Sequence, residues 1–388
     1  MLGLFFKNYM KTPELFPTMT HDNPPDKDTQ NTMDTPAKRT SPLHRLAGSP
    51  DKKREEEARH LSAEMLRNQP AGDQRYKHEG TILEKLFGGK KLKDIEKPHS
   101  ELDAELIAGI NHHLASFVER YGGHSIDVPE QAVHFIDIHV KRLNPQTRDE
   151  MFGLENGEPG SCASGYYNTR NEAIIINDQS ASSHPLARAK LLAHEMMHLE
   201  SFASATLPEQ TESQTLDPRR SGLSARAHDT DTESLPWHLK QLNEAVTEEL
   251  TKRFLQEYAP TQDIFKKDLE TTRLFKEKLE KEKHITTVDG TPISTDDMAF
   301  GIDTGDEFMY QDFSYGDERS ALRTLIKTIQ EKNSDRFASE EAVFDEFAKA
   351  YFAGNLLPIA RLINKTYGEK SFRAVGRDLI AFIRAHES

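Results

Sequence analysis

Apolar positions change their period along this chain, and each change marks an element. Leu102, Leu106, Ile107, Ile110, Leu114 and Phe117 recur every three to four residues, the spacing of one helix face. Ser100 stands where an N-cap belongs and Asp103 follows three residues on, a weak form of the capping box. Gly122-Gly123 ends that helix. A shorter helical stripe, Ile82, Leu83, Leu86 and Phe87, precedes it and stops at Gly88-Gly89. Residues 131–140 are rich in β-branched and aromatic side chains and read as a strand. A second strand is expected over 165–177. Its run Ala173-Ile174-Ile175-Ile176 is continuous rather than alternating, as in a strand covered on both faces. The intervening 156–165 is glycine-rich and reads as a loop.

Helical spacing returns at Pro185 and continues to about Ala205, through Leu186, Ala189, Leu192, Ala193, Met196, Met197 and Leu199. A polar stretch, 206–234, is expected to be a structureless excursion. A helix then starts at Pro236, the favoured first position, and runs to about Tyr258. From Gly316 onward the pattern is helical throughout. One stripe holds Leu322, Leu325, Ile326 and Ile329, and another Phe344, Phe347, Ala348 and Phe352. Leu356, Ile359, Leu362 and Ile363, then Leu379, Ile380 and Ile383, complete the series. The first 78 residues lack any such period. Seven of the 19 prolines lie within the first 50 residues, and that segment is expected to be a disordered arm, being too polar to offset the entropy of ordering. Three units follow: the arm at 1–78, a domain at 79–260, and a helical lobe at 261–388.

Composition narrows the classes. The chain has 388 residues and a formal charge of -14. So acidic a surface repels phosphate backbones and argues against nucleic acid as a partner. No apolar run reaches the roughly 18–20 residues of a bilayer span. Cys162 is the one cysteine, which excludes an intrachain disulfide or a cysteine zinc knuckle and leaves a nucleophile role without a motif around it. Leu2–Phe6 is too short for a secretory core. The expected location is therefore the cytoplasm, or outside the cell by a route that needs no such signal.

Chemistry concentrates at His194-Glu195-Met196-Met197-His198. On a helix the two imidazoles project from one face and can take two corners of a tetrahedral zinc site. Glu195 is rotated by one residue and can serve as general base without being a ligand. The flanking positions from Leu191 to Leu199 are apolar, so burying these three polar groups without partners would be costly. A catalytic zinc usually takes a third protein ligand. The next histidine is His228, with no short His-x-x-Gly-x-x-His continuation, which leaves a carboxylate from a second helix. Asn243-Glu244-Ala245-Val246-Thr247-Glu248 places two glutamates four apart on one side. Glu244 is the expected third ligand, and Glu248 is expected to accept a hydrogen bond from one ligating imidazole. Glu248 itself, Glu200 and Asp231 are the alternatives to Glu244. Zinc, one per chain, is expected from the donor set, though other divalent metals also suit His and carboxylate.

The pair His-Glu-x-x-His and Asn-Glu-x-x-Thr-Glu resembles the gluzincin zinc metallopeptidases, among them thermolysin-like enzymes and lethal-factor-type toxin proteases. The motifs cover two helices, with loosely matched surroundings over about residues 125–260. The resemblance implies an α+β fold: a mixed sheet packed on a zinc-binding active-site helix, with a mostly helical C-terminal lobe closing the cleft. It implies that 165–177 lines the cleft as a sheet edge to which a peptide can add as a strand. It further implies a Tyr or His from the C-terminal lobe that stabilises the oxyanion. Tyr315, just before a long helix, is the expected residue, ahead of Tyr310 and Tyr258. His184 and His238 flank the motif helices and read as surface residues. His134 and His139 are five apart on the first strand, hence on opposite faces. The expected activity is hydrolysis of peptide bonds in a peptide or protein substrate by a metal-activated water, with Glu195 as base. The rival readings are a metal-stabilised interaction protein without catalysis, and an exported effector or toxin-type protease with one specific protein substrate.

Overall fold

The computed structural model describes residues 96–126, 128, 130–136, 165–168, 173–177, 184–206, 217–226, 237–282, 295–303 and 308–387. The arm at 1–78, the stripe at 82–87, the loop at 156–164, and the residues His139, Cys162, His228 and Asp231 lie outside them. The fold is α+β, mostly helical, with small sheets. Among the described residues no helix is long and apolar enough to cross a membrane.

Strand β1 (Glu96–Lys97) leads into helix α1 (Glu101–Arg120). The capping box is formed: the Ser100 side chain accepts from the Asp103 amide, and Asp103 accepts from the Ser100 amide at 2.9 Å. The other Asp103 oxygen holds the buried Arg188 guanidinium at 2.5 Å, so the cap also ties α1 to the motif helix. The expected strand at 131–140 begins instead with a 3-10 turn, Glu130–Ala132, and pairs only from β2 (Val133–Ile136). The expected strand at 165–177 is two strands, β3 (Gly165–Asn168) and β4 (Ala173–Asn177), paired antiparallel. The sheet runs β1-β2-β4-β3, with β2 and β4 parallel and the outer pairs antiparallel. Ile174, Ile175 and Ile176 are all buried, as their continuous pattern implies for a strand covered on both faces.

Helix α2 (Pro185–Glu200) carries the His-Glu-x-x-His motif and packs on β3, β4 and α1. It stops at Glu200 rather than near 205, because the chain then extends into β5 (Ala203–Thr206). The expected structureless excursion, 206–234, holds two strands, β6 (Asp217–Ser221) and β7 (Ser224–Arg226), which join β5 and β8 (Trp237–His238) on either side in a meander, each antiparallel to the last. Backbone pairing, which polar side chains do not oppose, explains why low hydrophobicity hid these strands. Helix α3 (Lys240–Tyr258) accordingly starts later than Pro236. Residues 237–238 are held extended by β7, and Leu239 turns the chain into the helix through a left-handed φ of 64°.

Helix α4 (Lys266–Lys281) lies on the hairpin β9 (Met298–Asp303) and β10 (Phe308–Asp312), burying Phe275, Leu279 and Met298 between them. Helices α5 (Gly316–Lys332), α6 (Glu340–Ala353), α7 (Leu357–Tyr367), α8 (Ser371–Arg377) and α9 (Leu379–Arg384) follow. Of these, α5, α6, α8 and α9 pack directly on α3. One apolar cluster runs from Leu106 to Ile383 and includes the inner faces of α2 and α3. The two motif helices therefore meet inside a core assembled from both halves of the chain.

The turn between β6 and β7 shows how closely the meander approaches α3. Gly222 has φ 56°, and a Cβ there would meet the Asn243 Oδ1 and the Tyr351 ring. Asn243 Oδ1 accepts instead from the next amide, Leu223 N–H, at 2.8 Å. Gly222→Ala should lower unfolding free energy by about 2–4 kcal/mol, combining left-handed strain with overpacking. A urea titration at fixed pH checks this; a shift within error would show that the turn yields without cost.

Candidate metal centre

Helix α2 is buried almost all round, including Arg188, Lys190, His194, Glu195 and Glu200 among its polar residues. A helix so enclosed must give each polar group a partner. Glu200 takes the Ile126 amide at 3.1 Å and the Ser125 hydroxyl at 3.3 Å. Those donors engage it in the loop after α1, and it is not among the converging donors described next.

His194 and His198 face α3 at helical spacing. Their Nε2 atoms lie 3.2 Å apart, and Glu244 Oε2 is 3.2 Å from the His198 Nε2 and 3.6 Å from that of His194. Three donor atoms thus converge on one point. A tetrahedral zinc with bonds of about 2.0–2.1 Å keeps its ligand atoms about 3.3–3.4 Å apart, and the three observed edges bracket that length. The donor set fits such an ion. Glu248 lies one turn further along α3. Its Oε2 lies 2.6 Å from His194 Nδ1, a pairing that keeps a proton on Nδ1 and leaves Nε2 as the nitrogen available to a metal ion. The other oxygen, Oε1, accepts from the Ser314 amide and lies 3.1 Å from Lys190 Nζ.

The remaining motif residues of α3 hold the helix in register. Asn243 captures the β6–β7 turn, as described. Thr247 Oγ1 bonds the Asn243 carbonyl and the buried Tyr351 hydroxyl, each within 2.9 Å. The Asn-Glu-x-x-Thr-Glu pattern therefore divides its work: Asn243 and Thr247 face the scaffold, Glu244 and Glu248 face the histidines.

The charge balance favours a cation. Burial alone would pull His194 down, but the Glu248 carboxylate, then Glu244, outweighs it and carries the imidazole up to about 10. Glu244 is held well below the usual carboxylate range despite burial, by His198 and His194. Glu248 is likewise held low against burial, by Lys190 and His194. Glu195 moves the other way. Burial raises it, with Glu244 and Glu248 adding to the rise and the two histidines opposing it. Two imidazoles set among three glutamates need positive charge from protons or from a metal ion.

Glu195 is only 5 % exposed and stands outside the converging set. Its carboxylate lies against the backbone of the terminal strand β3, where a Cβ on Gly165 would come within 2.7 Å of Oε1. Tyr315 precedes α5 with φ 56° and stacks on His194, ring centroids 5.8 Å apart at 15°. The nearby charge of Glu244, then burial, raises its hydroxyl well above the ordinary value. Of the other tyrosines considered, Tyr258 is buried in the core against Phe254 and Phe265, and Tyr310 packs on Phe275. His134 pairs with Glu96 at 2.7 Å, His184 lies 3.7 Å from Asp268, and His238 belongs to β8. None of these three joins the cluster.

Sequence reasoning missed two neighbours of the histidines. Tyr167 on β3 stacks on His198, nearly parallel at 6.5 Å, and Lys190 reaches Glu248. Lys190 had a legible signal, being a cation four residues before His194 on an otherwise apolar face. Tyr167 had none, since its pairing depends on the hairpin. No protein-family model, curated protein or solved structure matches the chain, so the assignment of this cluster stands on its geometry.

The ligand set makes a graded prediction. Protein purified without added metal and read by mass spectrometry should carry about one zinc per chain, and Glu244→Ala should lose it. Glu248→Ala should keep the site but weaken it about 10–100-fold. Equal occupancy in Glu244→Ala and the parent chain would transfer the third-ligand role elsewhere.

Proposed function

We propose that this chain is a zinc-dependent metallopeptidase of the gluzincin type, hydrolysing peptide bonds. The observation that carries the reading is the position of Glu195. It is buried, adjacent in sequence to a ligand, excluded from the three converging donors, and pressed against the end strand of the sheet. A purely structural metal site has no use for such a carboxylate. Partial exposure supports the same conclusion: the Glu244 side chain is 27 % exposed and Tyr315 40 %, whereas structural zinc sites are closed.

A zinc ion held by His194, His198 and Glu244 supplies Lewis acidity, bringing the pKa of water toward about 7 and polarising a carbonyl. Every other part of the mechanism belongs to the chain. Glu248 fixes the His194 tautomer and so aims its Nε2. Glu195 takes the proton of the attacking water and passes it to the leaving amine. Tyr315 donates its hydroxyl to the developing oxyanion. The outer edge of β3 receives an extended substrate by backbone pairing, and Gly165 lets that backbone approach Glu195 without a side chain intervening.

Glu195→Gln should retain metal and lose about 10²–10⁴-fold in kcat, measured on a peptide library with metal content determined in parallel. Near-parental turnover in that variant would remove Glu195 as the base. Tyr315→Phe should lower kcat by about 10²–10³-fold with little change in KM. A loss confined to KM would make Tyr315 a binding residue instead.

A further inference from the structure

We infer that Lys190 is a positioning residue that holds the Tyr315 segment onto the metal centre through Glu248. Its catalytic consequence rests on the peptidase reading; the physical coupling does not.

Lys190 lies one turn before His194 on α2 and is 5 % exposed. Its Nζ has three oxygen neighbours: Glu248 Oε1 at 3.1 Å, Ser314 Oγ at 3.1 Å and the Asp312 carbonyl at 3.3 Å. The Phe313 ring is 5.5 Å away. An ammonium has three protons, and here three acceptors surround it. Apart from Glu248, every contact comes from the last residue of β10 or from the short segment, 313–315, that joins it to α5. The same segment sends the Ser314 amide to Glu248 Oε1. One carboxylate thus serves both sides: Oε2 orients His194, while Oε1 gathers Lys190 and the tyrosine-bearing segment.

The segment needs such an anchor. Tyr315 holds a left-handed backbone without being glycine, a strained state that persists only when surrounding contacts over-determine it. No side chain caps the start of α5. Asp312, Ser314 and Tyr315 are exposed, and only Phe313 is buried. The Phe313 amide bonds the Asp297 carbonyl at 2.8 Å and the Tyr315 hydroxyl bonds Glu244, so the segment is held on both sides of Ser314. Lys190 and Glu248 fix Ser314, and so hold the backbone from which Tyr315 reaches Glu244 and His194. A lysine that only neutralised Glu248 would have no reason to contact Asp312 and Ser314 as well.

The test uses the full zinc-loaded chain with Lys190→Met, Lys190→Arg and Ser314→Ala, followed by amide hydrogen exchange. Lys190→Met should speed exchange across 312–315 by about tenfold or more, with core amides of α2 and α3 and the zinc content nearly unchanged. Lys190→Arg should fall between it and the parent. Ser314→Ala, which removes one lysine contact from an exposed position, should give a smaller rise and keeps the idea testable if Lys190→Met does not fold. Unchanged exchange at 312–315 in the variants that fold would overturn the proposal. In peptide hydrolysis, Lys190→Met should lower kcat about tenfold at constant KM, and by less than about twofold when Tyr315 is already Phe. Equal losses in both backgrounds would mean that Lys190 does not act through Tyr315. If the parent chain cleaves no peptide, the peptidase reading falls alone, and the exchange result still decides the coupling.

Discussion

The site depends on one buried carboxylate. Glu248 is 1 % exposed, and an isolated ion at such depth would cost several kcal/mol. It is tolerated because donors come from three directions: an imidazole from α2, an ammonium from the same helix, and an amide from the segment before α5. Each donor belongs to an element that must be folded for the contact to exist. The carboxylate therefore penalises any arrangement in which α2, α3 and the β10–α5 connection are not docked together. This is the asymmetry of buried charge: intact, such a network contributes modestly to stability, but it discriminates strongly against alternatives that leave a member unpaired.

The apolar core supplies the stability that this arrangement does not. Met196, Met197, Val246 and Leu250 are fully buried between the two helices and their neighbours, so α2 and α3 approach through apolar packing and meet the polar cluster at one side. Beyond it, Arg188 with Asp103, and Glu200 with the loop at 125–126, hold α2 at its two ends. The helix is thus clamped above and below the histidines. Such clamping holds donor atoms close to the spacing a small ion requires.

Most of this candidate centre was legible because it is local in sequence. The spacing of His194, Glu195 and His198 fixes their faces on any helix, and Glu244 and Glu248 follow the same rule. The capping box at Ser100 and the helical stripes after Gly316 were readable for the same reason. What escaped was pairing between distant backbones. The strands at 203–226 carry serine, arginine and proline rather than alternating apolar residues, and their stability comes from ladders that composition does not encode. The late start of α3 is a consequence of that meander. The expected single strand at 165–177 read through Asn168 and the polar 169–172, where β3 ends before β4 begins. Tyr167 could not be linked to His198 until that strand was split.

Tyr315 sets two demands against each other at a single position. Its backbone conformation is the one glycine adopts freely, and a non-glycine residue gives up about 1–2 kcal/mol to hold it. Its ring is the part of the residue that covers His194. Replacing it with glycine would relax the backbone and discard the ring in the same step. The backbone alone would favour glycine here, and the contact with His194 is what an aromatic residue adds. The position is a small, local instance of backbone stability given up for a side-chain contact.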